Sequence, residues 1–163
     1  MTSTAKVTIR DFRPGDEAAF RDFNEEWIVR YFRLEPKDRL SLDYPQSTIL
    51  DRGGKIFIAE QDNHPVGCCA LLPLGPGEFE VAKMAVAEAS RGGGIGRQLL
   101  KTIIDAALAA GAHRLYIETN QKLVAAVRLY ESLGFRHLPP ERITPSPYAR
   151  ANVYMERYLD DSL

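Results

Sequence analysis

Arg91-Gly92-Gly93-Gly94-Ile95-Gly96-Arg97 joins the end of one apolar run to the start of the strongest helical pattern in the chain. Four of the 12 glycines fall within the five positions 92 to 96. Successive glycines can turn their N–H groups inward and let a ligand touch the backbone. The helix start adds unpaired donors and about half a positive charge, and Arg91 and Arg97 place full charges beside it. The turn therefore reads as a cradle for a pyrophosphate-like anion. A merely tight strand-to-helix connection needs only one or two glycines. A nucleotide P-loop is excluded, because Gly96 is followed by Arg97-Gln98 rather than Lys and a metal-binding hydroxyl. A dinucleotide fingerprint is excluded as well. Starting at Gly92 or at Gly94 it requires glycine at 97 or 99, where Arg97 and Leu99 stand, and the turn lies mid-chain rather than in a first βαβ unit.

Outward from the turn, Ile95, Leu99, Leu100, Ile103, Ile104, Ala107 and Leu108 mark an amphipathic helix stopped by Gly111. Arg114–Thr119 alternates as a strand. Leu123, Ala126, Val127, Tyr130 and Leu133 make a second helix, stopped by Gly134. Upstream, Lys55–Glu60 and Pro65–Leu72 form a hairpin about Asp62-Asn63-His64. A turn from Pro73 to Gly77 leads into a strand at Glu78–Val86. Nearer the start, Val7-Thr8-Ile9 is a short strand. A helix beginning near Asp16 presents Phe20, Phe23, Trp27 and Tyr31. Residues 33–53 are mixed, with a short helix around Lys37–Leu42. Pro139 to Pro147 is a loop, and Ala151–Tyr158 is a closing strand. With no repeat and no linker, residues 1–163 read as one α/β domain on a mixed sheet.

The remaining composition narrows the function by exclusion. Twenty-one basic residues against 22 acidic ones give a net charge of −1, which argues against nucleic-acid binding. No membrane span or signal peptide is legible at the start of the sequence, and a cytoplasmic location is expected. Adjacent Cys68 and Cys69 fall on opposite faces of a strand and form neither a disulfide framework nor a zinc site, so no metal is expected. His64, His113 and His137 read as solvated.

Arg91-Gly92-Gly93-Gly94-Ile95-Gly96 resembles the Arg/Gln-x-x-Gly-x-Gly/Ala acetyl-CoA signature of the GNAT N-acetyltransferase superfamily. Glu80-Val81-Ala82-Lys83-Met84-Ala85-Val86 resembles the strand before that signature. Ala126-Val127-Arg128-Leu129-Tyr130-Glu131-Ser132-Leu133-Gly134-Phe135 is similar to the second motif of the same family. The elements stand in family order along nearly the whole chain. The resemblance implies a mostly antiparallel sheet of about six to seven strands, flanked by about four helices and splayed around an acetyl-CoA site. It implies direct acetyl transfer from acetyl-CoA to a primary amine of a small molecule or peptide. A non-catalytic acetyl-CoA-binding sensor or scaffold of the same fold is the alternative. Homodimers are common in the family.

Such a transfer needs a base to deprotonate the alkylammonium, an acid to protonate the leaving thiolate, and a donor for the developing oxyanion. The resemblance assigns the acid to Tyr130. It assigns the base to Glu80, acting directly or through water, with regular alternation setting Glu80, Ala82, Met84 and Val86 on one face. The oxyanion donor is a backbone N–H around Met84–Val86. Met84, Ala85, Val86, Arg91, Gly92, Gly93, Gly94, Ile95, Gly96 and Arg97 are expected to hold the cofactor. Leu123 stands where many relatives carry asparagine, and Asn120 is the candidate replacement.

For the acceptor the sequence leaves conflicting readings open. Trp27, Tyr31 and Phe32 offer aromatic walls, and Tyr148, Arg150 and Asn152 offer further lining. Glu25 and Glu26 suit a cationic amine. Arg30, Arg33 and Arg150 suit a carboxylate-bearing acceptor.

Overall fold

The hairpin centred on Asp62-Asn63 shows how directly local sequence dictates local structure. Both residues take left-handed φ values, 53° and 63°, as the two central positions of a type I′ turn require. This turn joins β2 (Lys55–Gln61) to β3 (His64–Gly75). The computed structural model describes residues 6–159. Its other elements are β1 (Val7–Asp11), α1 (Glu17–Tyr31), α2 (Pro36–Asp43), α3 (Pro45–Thr48), β4 (Glu78–Val86), α4 (Ile95–Ala109), β5 (Arg114–Thr119), α5 (Val124–Ser132), β6 (Arg136–His137) and β7 (Val153–Tyr158).

The strands form one seven-stranded sheet in the order β1-β2-β3-β4-β5-β7-β6. Every pairing is antiparallel except β4 with β5. This is the mixed, mostly antiparallel sheet expected from the sequence, with five α-helices among the described residues rather than about four. The additional elements, α3 and β6, span only four and two residues, too short to display a period.

Helices cover both faces of the sheet. α4 buries Ile95, Leu99, Leu100, Ile103, Ile104 and Ala107 against one face, together with Leu115, Ile117 and Tyr130. Each large aliphatic side chain contributes roughly 1.5–3 kcal/mol relative to exposure. α1 buries Phe20, Asn24 and Ile28, spaced four apart, on the opposite face, where they meet Leu42 of α2 and Ile56 and Ile58 of β2. Cys69 belongs to the first core and Cys68 to the second, as strand alternation predicts.

One irregularity shapes the functional region. Between Cys68 and Ala70, β3 advances two residues while its partner β4 advances three, from Ala82 to Ala85. The extra residue is accommodated at Lys83, whose φ of 55° lies in the left-handed region. Phe79 and Val81 before the bulge, and Met84 and Val86 after it, all pack on the α4 side. The expectation that Glu80 shares a face with Met84 and Val86 is therefore corrected. The bulge reverses the alternation, and regular period-two counting across residues 80 to 86 fails.

Beyond the bulge the sheet opens. β4 and β5 pair only where Glu78–Glu80 lie beside Arg114–Tyr116. Past that point β4 stays with β3 and β5 stays with β7 as far as Thr119. Arg114 fastens the closed end of the wedge, donating to Glu78 and to Glu156, each at 2.8 Å.

Candidate active site

A cleft of about 650 Å³ fills the wedge between β4 and β5, large enough for an extended cofactor tail and a small second substrate. One end is the glycine turn. Gly92 and Gly94 adopt φ values of 86° and 81°, and a Cβ built on either one meets nothing within 4 Å. Both positions carry a left-handed φ that a side chain would strain, and the space beside each is open. Gly94 is the N-cap of α4 and offers no side-chain cap, so the first-turn amides of the helix face the cleft without intrahelical acceptors. That geometry fits a pyrophosphate. Arg97 lines the same end and donates to Ser132 Oγ at 3.0 Å. Arg91 is turned toward α1, with Nε on the Val86 carbonyl at 3.0 Å and Nη2 on Glu26 at 3.1 Å.

Midway along the cleft stands Tyr130 on α5. Its ring meets Phe135 edge-on, with centroids 6.1 Å apart. Burial pushes its phenol well above the usual range, and the hydroxyl is the protonated form at neutral pH as an ordinary phenol is. Tyr130 both fills the core and lines the cleft.

Glu80 lies at the last residue of β4 that pairs with β5, where the two strands begin to part. No described residue hydrogen-bonds its carboxyl. Burial, and then the charge of Glu118, push it up to about 7, while Lys83 and Lys37 pull the other way. Glu118 itself is engaged, accepting from Ser146 Oγ at 2.6 Å and from Tyr116 at 2.9 Å. Of these two carboxylates on the cleft, Glu80 is the one with no hydrogen-bond donor among the described residues.

The far end is a dense polar cluster roofed by aromatic rings. Asp38 of α2 is fully buried, and its carboxylate accepts four hydrogen bonds, filling its lone-pair sites. The donors are the Glu35 amide at 2.8 Å, two Arg150 nitrogens at 2.8 and 2.6 Å, and Lys83 Nζ at 3.3 Å. Burial alone would raise the Asp38 carboxyl, but these donors outweigh it and hold the group below the usual range. Arg150 stacks over Tyr148 with its guanidinium carbon 4.5 Å from the ring centroid, and lies 5.7 Å from that of Trp27. The Trp27 indole is itself held, donating to Asn24 Oδ1 at 3.2 Å.

Of the residues expected to hold the cofactor, Met84, Ala85, Val86, Arg91, Gly92, Gly94, Ile95, Gly96, Arg97 and Asn120 line the cleft. Gly93 does not; a Cβ built there would lie 3.7 Å from the Ser90 carbonyl. Asn120 is buried and partly committed, donating to the Arg150 carbonyl at 2.6 Å and accepting from the Lys122 amide at 2.8 Å. Trp27, Tyr31, Phe32, Tyr148 and Arg150 all line the cleft, whereas Asn152 accepts from the Gln121 amide outside it. Glu25 pairs with Arg39, Glu26 with Arg91 and Arg30 with Glu88, while Arg33 is exposed away from the cleft. His64, His113 and His137 lie off it. Sequence reasoning missed Lys83 and Asp38. The available signal for Lys83 was a lone cation in the apolar run from Val81 to Val86. Among the described residues no group of His, Cys, Asp and Glu is placed to hold a metal, and no helix is long and apolar enough to cross a membrane.

Known proteins share this architecture and its motifs. An acetyltransferase of the GNAT family from Staphylococcus aureus superposes with a TM-score of 0.85 at 20% identity, covering 94% of this chain and 99% of its own. A putative acetyltransferase from Salmonella typhimurium, solved with its cofactor acetyl-CoA, superposes at 0.73 with 22% identity and 95% of each chain covered. By sequence, the chain is 36% identical over 103 residues to an uncharacterized N-acetyltransferase of Schizosaccharomyces pombe, a match covering 61% of each. It is 37% identical over 87 residues to an IAA acetyltransferase of Azospirillum brasilense, a match covering 53% of this chain and 57% of that one. The chain thus spans less than two thirds of these curated relatives. A family model described as the acetyltransferase (GNAT) family matches residues 17–135, from the start of α1 to the glycine-stopped end of α5. Because that match takes in most of the chain, including both the glycine turn and the Tyr130 helix, the chain belongs to the GNAT acetyltransferase family.

Proposed function

We propose that the protein transfers the acetyl group of acetyl-CoA directly to the primary amine of a small molecule or peptide. The observation that carries this reading is the single cleft that runs from the open, glycine-built N-terminus of α4 past Tyr130 to an unpartnered Glu80. Acetyl-CoA supplies the acyl group and the thiolate leaving group. The turn residues Gly92, Gly94, Ile95, Gly96 and Arg97 bind the pyrophosphate through backbone amides and the helix dipole. The edge of β4 that β5 leaves unpaired, Met84 to Val86, offers backbone groups to the pantetheine amides and an N–H to the developing oxyanion. Asn120 keeps one side-chain hydrogen for the same tail.

Glu80 takes the proton from the ammonium of the acceptor, directly or through one water. A carboxyl held near 7 is better matched to that task at neutral pH than an ordinary glutamate. Tyr130, protonated at neutral pH, donates its proton to the departing sulfur. Each such proton transfer contributes roughly 10²–10⁴-fold.

The test is release of CoA thiol from acetyl-CoA across a panel of primary amines. Amine-dependent release is expected, with Tyr130→Phe lowering kcat by about 10²-fold or more while KM changes little. Tight acetyl-CoA binding without turnover on any amine would instead mark a binding module. An unchanged kcat in Tyr130→Phe would remove the acid role.

A further inference from the structure

Lys83 is a lysine in an unusual place. Its backbone sits in the left-handed region at the β4 bulge, a conformation that strains a non-glycine residue. That conformation directs the side chain into the acceptor end of the cleft, where it is only 7% exposed. The ammonium carries three N–H donors. One is spent on Asp38 Oδ1 at 3.3 Å, and the Tyr148 ring centroid lies 5.0 Å away. The other two have no acceptor among the described residues.

Asp38 cannot take more, since its four acceptor sites are filled and Arg150 holds both of its oxygens. Asp38 is thus shared between Lys83 and Arg150, and Arg150 also pairs with Glu35 at 3.4 Å. Glu35, the second acid of the cluster, is set toward the rim, on the Ala149 amide and the outer side of Arg150. Arg150 thus has two carboxylates, while Lys83 has one and keeps two donors open to the cleft.

Building on the acetyltransferase reading, we propose that Lys83 is the anchor for a carboxylate on the acceptor, and that the acceptor is a free α-amino acid with an apolar side chain. The closeness of the two groups along the strand suits a short acceptor. Glu80 and Lys83 are three residues apart on one strand, so their Cα atoms are at most about 10 Å apart. An amine bonded to Glu80 and a carboxylate bonded to Lys83 span roughly 8 Å when a single carbon joins them. Trp27, Phe32, Tyr31 and Tyr148 leave an apolar space for the side chain. Arg150, one of the three arginines the sequence offered for this role, is held by Asp38 and Glu35 and serves as part of the roof.

The experiment measures acetyl-CoA-dependent turnover on matched pairs, L-phenylalanine against phenethylamine and L-leucine against isopentylamine. The expected result is a kcat/KM at least tenfold higher for each amino acid than for its decarboxylated partner, residing mainly in KM. In Lys83→Met that ratio falls toward one, and in Lys83→Arg much of it is restored. Equal turnover of the two members of each pair by the unaltered protein overturns the carboxylate assignment and leaves the acetyltransferase reading standing. A ratio that persists in Lys83→Met moves the anchor to another residue and overturns the assignment to Lys83. No turnover on these pairs while other amines are acetylated overturns the amino-acid assignment alone; acetyl-CoA binding with no turnover on any amine overturns both readings.

Discussion

Glu80 and Lys83, three residues apart on β4, line the same cleft. In a regular strand that spacing sends side chains to opposite faces. The left-handed turn of the backbone at Lys83 cancels the difference and brings a carboxyl and an ammonium to one acceptor end. Each senses the other's charge, so Lys83 draws the Glu80 carboxyl down from where burial alone would leave it. The bulge that parts β4 from β5 thus also pairs the two groups best placed to handle an amine and its neighbouring charge.

The elevated carboxyl of Glu80 has a signature in both rate and stability. With Glu80 pushed up to about 7, the kcat/KM profile should rise with a midpoint near that pH, and Glu80→Gln should lose that limb. The stability effect has the opposite sense. The unfolded chain gives up this proton near the ordinary glutamate value of 4.5, before the folded chain does, so this group lowers stability as pH rises through the interval up to about 7. Glu80→Gln has no charge to bury. It should be more stable than the unaltered protein above neutrality, by up to about 3 kcal/mol, with the gap closing at acid pH. Denaturant melts at three pH values decide it; a gap that does not vary with pH removes the shifted carboxyl.

Asp38 and Arg150 come from segments 112 residues apart and tie α2 to the loop before β7. Removing the carboxylate leaves Arg150 and Lys83 buried without the counter-charge they share. Asp38→Asn should therefore cost about 3–5 kcal/mol and lower Tm by roughly 10 °C. Arg150→Gln alone should be damaging as well. The double variant should be clearly less damaging than the two single effects combined, because both remove the same pair. Additive effects in a thermal-melt cycle would show that the pair does not act as a unit.

What was legible in the sequence is what depends on local period. Ile95 through Leu108 declared α4, Gly111 and Gly134 declared helix ends, and Asp62-Asn63 declared a hairpin. The glycine turn and Tyr130 were legible because their spacing is itself the signal. Lys83 was not, since a single lysine in the left-handed region breaks alternation without any glycine to announce it. Asp38 was hidden for another reason. It sits in a mixed stretch as an ordinary helix-start acid, and its partners Lys83 and Arg150 are 45 and 112 residues away. Arg150 was legible as a cation near the acceptor, but its neutralisation by Asp38 is a fact of packing alone.

The pyrophosphate placement can be separated from simple backbone strain by using two glycines. Gly94 and Gly111 have nearly the same conformation, φ 81° and 79°, and a Cβ on either meets nothing within 4 Å. They occupy opposite ends of α4, and Gly94 alone lines the cleft. Substituting alanine at each should therefore cost a similar 1–2 kcal/mol of stability. Only at Gly94 does the new methyl group intrude where the phosphates lie against the backbone. Isothermal titration with acetyl-CoA should show affinity lost by tenfold or more in Gly94→Ala and retained in Gly111→Ala. If both variants bind as the unaltered protein does, the anion does not sit against this turn.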